Sequence, residues 1–190
     1  MKERPILMTP ENAQKCHDGT KTQTRRIMKV QPDDDANILM GKMGTSHGVA
    51  YIGNVQSGGI VTRVQSPFGI VRDRLWVREG WCKTRDGILY RGQCEEYKSL
   101  KPIWKPSIHM PREFARTVLE ITGIRVERVK YISPADALEE GVFCPEAGYA
   151  QHGNRAPVLL FGFLWESIHG AGSWERNDWV WVITFRKVDA

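Results

Sequence analysis

The segment Trp179-Val180-Trp181-Val182-Ile183-Thr184-Phe185 constrains the fold more than any other stretch of this chain. Strand side chains alternate between two faces, and here both alternating sets are apolar. A strand of this kind has no face to give to water, so it belongs in the middle of a sheet covered on both sides. The remaining elements must supply that cover, and they are short. Strands are expected at Ile6-Leu7-Met8, Lys21 to Ile27, Ile60 to Val64, Asp73 to Glu79 and Gly87 to Arg91. In the fourth of these, Leu75 and Val77 share one face and Trp76 and Arg78 the other. From Thr117 to Ile132 β-branched residues dominate, with Leu119 and Ile121 in one phase and Ile124 and Val126 in the other. The switch at Thr122-Gly123 predicts a bulge that bends the sheet.

Helices are expected where caps and apolar spacing coincide. Thr9-Pro10-Glu11 reads as N-cap, N1 proline and acidic first turn of a helix ending near His17, before Asp18-Gly19. Ser133-Pro134-Ala135-Asp136 starts a second short helix, which stops at Gly141. Pro157 to Ile168 reads as a third, with Leu159, Leu160 and Phe163 inward, ended by His169-Gly170. Residues 143–156 read as a Gly/Pro-rich loop, and residues 104–112 as a loop stiffened by Pro106 and Pro111. Residues 31–59 read as an irregular insertion with short hairpin pieces, the most mobile part of the chain. With no alternation of strands and crossover helices, the expected class is α+β, mainly β. The expected architecture is a small curved or closed β-barrel with short helices and loop insertions, a single domain over residues 1–190.

At 41% hydrophobic and 26% charged residues, the composition is that of a folded domain. The longest apolar run, Val158 to Trp165, is far short of the ~20 residues that span a membrane. No apolar stretch follows Met1-Lys2-Glu3-Arg4-Pro5, so no secretory signal is expected. Cys16, Cys82, Cys94 and Cys144 form no C-x-x-C pair, and the five histidines show no ligand spacing. No metal site and no cofactor are expected, and reduced thiols point to a cytoplasmic protein. Seven Trp in a chain of net charge +5 suit a nucleic acid or nucleotide partner, although Trp also fills cores. By position Trp76, Trp165, Trp179 and Trp181 are assigned to the core, leaving Trp81, Trp104 and Trp174 as candidate base platforms.

Four features in order carry a family resemblance: Gly19-Thr20-Lys21-Thr22-Gln23-Thr24-Arg25-Arg26 after a helix, Asp73 to Glu79, Ala137-Leu138-Glu139-Glu140-Gly141 on a short helix, and the terminal strand. The order resembles the ASCH domain of the PUA-like β-barrel superfamily. The segments Trp104 to Arg112 and Gly172 to Val182 resemble its phage and prophage members. Apart from residues 31–59 the likeness spans most of the chain, with residues 143–178 as a second, loop-and-helix insertion. The resemblance implies binding of a nucleoside or single-stranded RNA. It also implies, by analogy with compact members that cleave N4-acetylcytidine, an amidohydrolase with Lys21, Thr24 and Glu140 as its catalytic set. Other members are RNA-binding proteins or ribonucleases, which leaves a non-catalytic RNA- or single-stranded-DNA-binding module and a ribonuclease as alternatives.

Amide hydrolysis needs a nucleophile, a base and a donor for the leaving amine. Thr24 hydroxyl would be the nucleophile, and Lys21 the base if burial and the cations Arg25 and Arg26 lower its affinity for a proton. On a regular strand positions 21 and 24 face opposite ways, so the pair requires a bend at the strand start. A desolvated, protonated Glu140 would donate to the leaving amine, with Glu139 competing for that role. The same three cations could instead be a solvated basic edge. Substrate-binding candidates are Arg26, for phosphate, ribose or the catalytic Glu; Arg25, an added charge beside Thr24; Glu79 and Trp81, for a base; and Ser107, His109 and Arg112 in the Pro-braced loop. Trp81 packing an end of the barrel is the competing reading.

Overall fold

The computed structural model describes residues 1–32, 37–39, 48–53, 62–93 and 101–188. Its centre is a five-stranded mixed sheet built from β1 (Glu3–Leu7), β2 (Gln23–Ile27), β6 (Arg74–Arg78), β9 (Val118–Arg128) and β10 (Trp179–Val188), in the order β1-β6-β9-β10-β2. β1 runs parallel to β6 and every other pairing is antiparallel. Two smaller sheets flank it: β3 (Asn37–Leu39), β4 (Val49–Gly53) and β5 (Thr62–Gln65) in one, β7 (Trp81–Lys83) and β8 (Ile88–Tyr90) in the other. Four α-helices are described: α1 (Pro10–Asp18), α2 (Pro134–Glu139), α3 (Glu146–His152) and α4 (Ala156–His169). None is long and apolar enough to cross a membrane.

β10 lies inside the sheet, as its two apolar faces require. Trp181, Ile183 and Phe185 pack with Leu75, Val77, Leu119, Ile121 and the buried face of α1. Val180 and Val182 pack on the opposite side with Ala137 of α2 and Phe161 and Trp165 of α4. The bulge falls where expected: Thr184 opposes Gly123 and Phe185 opposes Ile121, so Thr122 is the extra, unpaired residue. Both expected caps form. Thr9 Oγ1 accepts from Asn12 N at 3.3 Å, and Ser133 with Asp136 makes a reciprocal capping box. Gly19 and Gly141 close their helices at φ +78° and +81°, a region costly for any residue with a Cβ.

Three expectations are corrected. The sheet is open, with β1 and β2 as its edges and no backbone ladder between them among the described residues. It curls far enough that a side chain joins the two edges instead, Arg26 Nη2 of β2 donating to the Leu7 carbonyl of β1 at 2.5 Å. Residues 143–156 are not all loop, because α3 occupies Glu146–His152. Gly148 lets it sit close, since a Cβ there would stand 3.3 Å from Cys144 Sγ and 3.8 Å from Ala156 Cβ. Finally, α4 turns Pro157, Phe161 and Trp165 inward, while Leu159 and Phe163 are 41% and 71% exposed. A helix apolar on nearly every side carries no periodic signal to choose its buried face. The mobility expected of residues 31–59 falls largely on positions outside the described residues, as does Cys94.

Candidate active site

β2 begins at Gln23, so Lys21 precedes the strand and is free of its alternation. Its position is set by neighbours on both sides: Lys21 N donates to Lys15 O, Thr22 N to Glu139 O, and Phe185 N to Thr22 O. The start of β2 is thereby tied to the end of α2, and this brings Lys21 to Glu140. Nζ of Lys21 donates to Glu140 Oε2 at 2.5 Å and to the Glu140 carbonyl at 2.8 Å. Lys15 Nζ donates to the next carbonyl, Gly141 O, at 2.8 Å. Lys21, Thr24 and Glu140 are all at most 4% exposed and line one small cleft with Arg25, Arg26, Asn12, Phe161, Trp165 and His169. The Thr24 hydroxyl makes no hydrogen bond with another described residue, so it is uncommitted.

The competition between the two glutamates is settled by direction. Glu139 is exposed and accepts from Gln23 Nε2 at 2.8 Å, whereas Glu140 turns into the cleft. Glu140 accepts from two cations, Lys21 and Arg25 (Nη1, 3.2 Å). Both contacts are charge-assisted hydrogen bonds to the same side chain. Arg25 spends its hydrogen bonds on protein side chains. Its side chain is wholly buried and bonds Gln23 Oε1 at 2.7 Å and Glu127 Oε1 at 2.5 Å, with Asp136 at 3.6 Å. It holds Glu140 from behind, so it is a positioning residue. Asp136 completes this layer by accepting from Ser133, Gln23 and Arg125. Burial alone would raise the Asp136 carboxyl, but those hydrogen bonds outweigh it and hold the group well below the usual carboxylate range.

The other expected binding residues divide. Arg26 lies in the wall between the small cleft and a larger groove of about 490 Å³, lined also by Arg91, Trp104, Lys105 and Ser107. Leu7, Met8 and Thr9 complete the shared wall. Glu79 is corrected to a structural role: it is 1% exposed and clamped by Arg116 through two bonds of 2.9 and 3.0 Å. Trp81 is 5% exposed with its ring 5.0 Å from that of Phe114, so it packs the fold and offers no face to a base. His109 is exposed on a short 3-10 turn away from the cleft, and Arg112 pairs with Glu3 at 2.8 Å. Trp174 packs against Phe161 and Gly162 and lines a separate groove with Lys130 and Arg155, whereas Trp104 lines the groove that adjoins the cleft.

Sequence reasoning missed Asn12, Phe161 and His169. His169 closes the cleft with its ring 4.2 Å from that of Trp165. Burial, with the charges of Arg26 and Arg176, lowers its affinity for a proton, so the imidazole is neutral at pH 7. Its place immediately before the helix-ending Gly170 gave no hint of this. Cys16 lies under the site, its thiol pushed up to about 12 by burial, and is inert at neutral pH. Among the described residues no three His, Cys, Asp or Glu side chains are grouped to hold a metal. Compared with protein-family models, curated proteins and solved structures, the chain matches none.

Proposed function

We propose that this chain is an ASCH-type, PUA-like protein whose cleft hydrolyses an N-acyl amide on a modified cytidine, with Lys21, Thr24 and Glu140 as its catalytic residues. The observation that carries the reading is the buried Lys21–Glu140 pair beside an uncommitted Thr24 hydroxyl in one cleft. A buried ion pair is often no more stabilising than apolar residues of the same size, so stability is a weak reason for one here. Active sites are one place where titratable groups are held together in a cleft.

The steps follow from the atoms present. Lys21 passes a proton to Glu140 across their hydrogen bond and becomes a neutral amine. That amine takes the Thr24 proton as Oγ1 attacks the acyl carbon. The C–N bond breaks, Glu140 returns its proton to the leaving exocyclic nitrogen, and an acyl-threonine ester remains. Lys21 again passes its proton to Glu140, the neutral amine takes a proton from water as the hydroxide attacks the ester, and Glu140 returns its proton to the departing Thr24 oxygen, which releases the acid and restores Thr24. The cleft leaves only about 60 Å³ of free space, room for an acyl amide but not for a nucleoside. In this reading the base and sugar extend past Arg26 into the larger groove.

The test is incubation of purified protein with N4-acetylcytidine. Cytidine and acetate are expected, and Thr24→Val, Lys21→Ala and Glu140→Gln each lower kcat by about 10²–10⁴-fold. No turnover, or turnover indifferent to Lys21, overturns the assignment. The basic lining of the larger groove also favours binding of single-stranded RNA without chemistry; that reading predicts affinity falling steeply with salt and unaffected by Thr24→Val.

A further inference from the structure

The larger groove gathers positive charge. Its lining holds Arg26, Arg91 and Lys105 and no carboxylate among the described residues. Arg91 comes from a 3-10 turn after β8, Lys105 from the Pro-braced loop, and Arg26 from β2, so three separate parts of the chain converge. Arg91 and Lys105 have no acidic partner among the described residues. Arg26 has its Nε buried without a hydrogen-bond partner, although Nη2 is bound to Leu7 O. The Ser107 hydroxyl on the same lining is also uncommitted.

Close packing holds this arrangement in place. A Cβ on Gly80 would stand 3.1 Å from Arg91 Cβ, and one on Gly92 only 2.7 Å from the Pro10 carbonyl. Gly92 is therefore required for the Arg91 turn to sit against α1, and Gly80 leaves a tight but unforced fit beside Arg91. Lys105 is steered by the Trp81 ring, 4.9 Å below its Nζ, and by the two backbone bonds between residues 81 and 105. Trp104, half-buried, supplies an aromatic face on the same lining.

We infer that this groove is a phosphate subsite contiguous with the reacting cleft, and that the substrate is an acylated nucleoside monophosphate and not a neutral nucleoside. The inference rests on the proposed hydrolysis for the base it names, and on the groove alone for the phosphate. Arg26 spans both cavities and contacts the sugar-phosphate junction, Arg91 and Lys105 take the phosphate oxygens, and Trp104 flanks the sugar or base. A volume of about 490 Å³ suits one small ligand, and three converging cations match one phosphate better than a strand of them.

Two measurements test this separately from the hydrolysis. Calorimetry compares cytidine with cytidine 5′-monophosphate; turnover compares N4-acetylcytidine with its 5′-monophosphate. A charge-assisted contact gives about tenfold or more. The monophosphate should therefore exceed the nucleoside by at least that factor in affinity and in kcat/KM. The ratio should fall toward one in Arg91→Ala and Lys105→Ala and be partly kept in Arg91→Lys. Phosphate-dependent binding without turnover of either substrate would sink the hydrolase reading and leave the subsite standing. Turnover with no preference for the monophosphate would do the reverse. A preference that survives the double variant Arg91→Ala/Lys105→Ala overturns the subsite, and a cytidine-containing RNA oligonucleotide binding tenfold tighter than the monophosphate overturns the choice of a mononucleotide.

Discussion

At the scale of single residues, the site is a two-layer charge network. Lys21 and Glu140 face the cleft, and Arg25, Glu127 and Asp136 lie behind them. Removing one member of a buried pair strands the other, at about 3–5 kcal/mol. Lys21→Ala should show a loss of that order in urea unfolding, reduced to the extent that Arg25 still satisfies Glu140. Arg25→Lys keeps the charge but loses the planar fork that reaches Gln23, Glu127 and Glu140 together. It should lower both melting temperature and kcat, while leaving KM for the substrate nearly unchanged, because the hydrogen bonds of Arg25 go to protein side chains. An effect on KM alone would contradict the positioning role. Asp136 sets an acid limit. Its folded-state affinity for a proton is below that of the unfolded chain, so its stabilising contribution is present above the unfolded value near ~3.9 and is lost as pH falls toward the folded one. Urea midpoints measured from pH 5 downward should fall for the wild type and fall less for Asp136→Asn, which has no such proton to bind.

At the scale of elements, the short α2 governs the site because both of its ends are fixed. Ser133 and Asp136 cap its start, and Gly141 at φ +81° turns the chain so that Glu140 points inward. Gly141→Ala meets a strained backbone and a Cβ 3.0 Å from Lys15 Cδ and 3.3 Å from Lys21 Cβ. About 1–2 kcal/mol of stability should be lost, because the strain is released against Lys15 and Lys21. Helix α4 offers a test of which face is buried. Phe161→Ala, which empties a 3%-exposed position touching Trp165 and Trp174, should cost about 3–5 kcal/mol in thermal or chemical unfolding. Phe163→Ser, two positions on, should cost far less. Equal costs would mean that the helix is rotated.

At the scale of the whole molecule, the fold is one open sheet held between two apolar layers, with the site at the edge strand β2 where α1, α2 and α4 meet it. β9 and β10 share the longest ladder and are central, whereas β1 and β2 are paired on one side only. Amide hydrogen exchange should follow this order. The amides of β9 and the buried half of β10 should exchange only through global unfolding, and those of β1 through smaller openings. Early exchange in β10 would refute the layered core.

Much of this was legible in the sequence, because some signals are local. The double apolar phase of Trp179 to Phe185 determined a central strand, since an element without a polar face has nowhere else to go. Thr9-Pro10 and Ser133-Pro134 determined two helix starts, and Thr122-Gly123 the bulge, because caps and breaks act within a few residues of themselves. The grouping of Lys21, Thr24 and Glu140 was expected only through the family resemblance. Only the tertiary structure decided the rest, where long-range packing chooses among local equivalents. It chose which face of the apolar α4 is buried, which of Glu139 and Glu140 turns inward, and that Arg25 is enclosed behind the site while Arg26 stays at its wall. It also took Glu79 and Trp81 into the packed interior and left the edges of the sheet joined by a side chain and not by a backbone ladder among the described residues. His169 and Arg91 enter the picture only there, because no periodicity or motif records which residues from four distant segments will share a cleft.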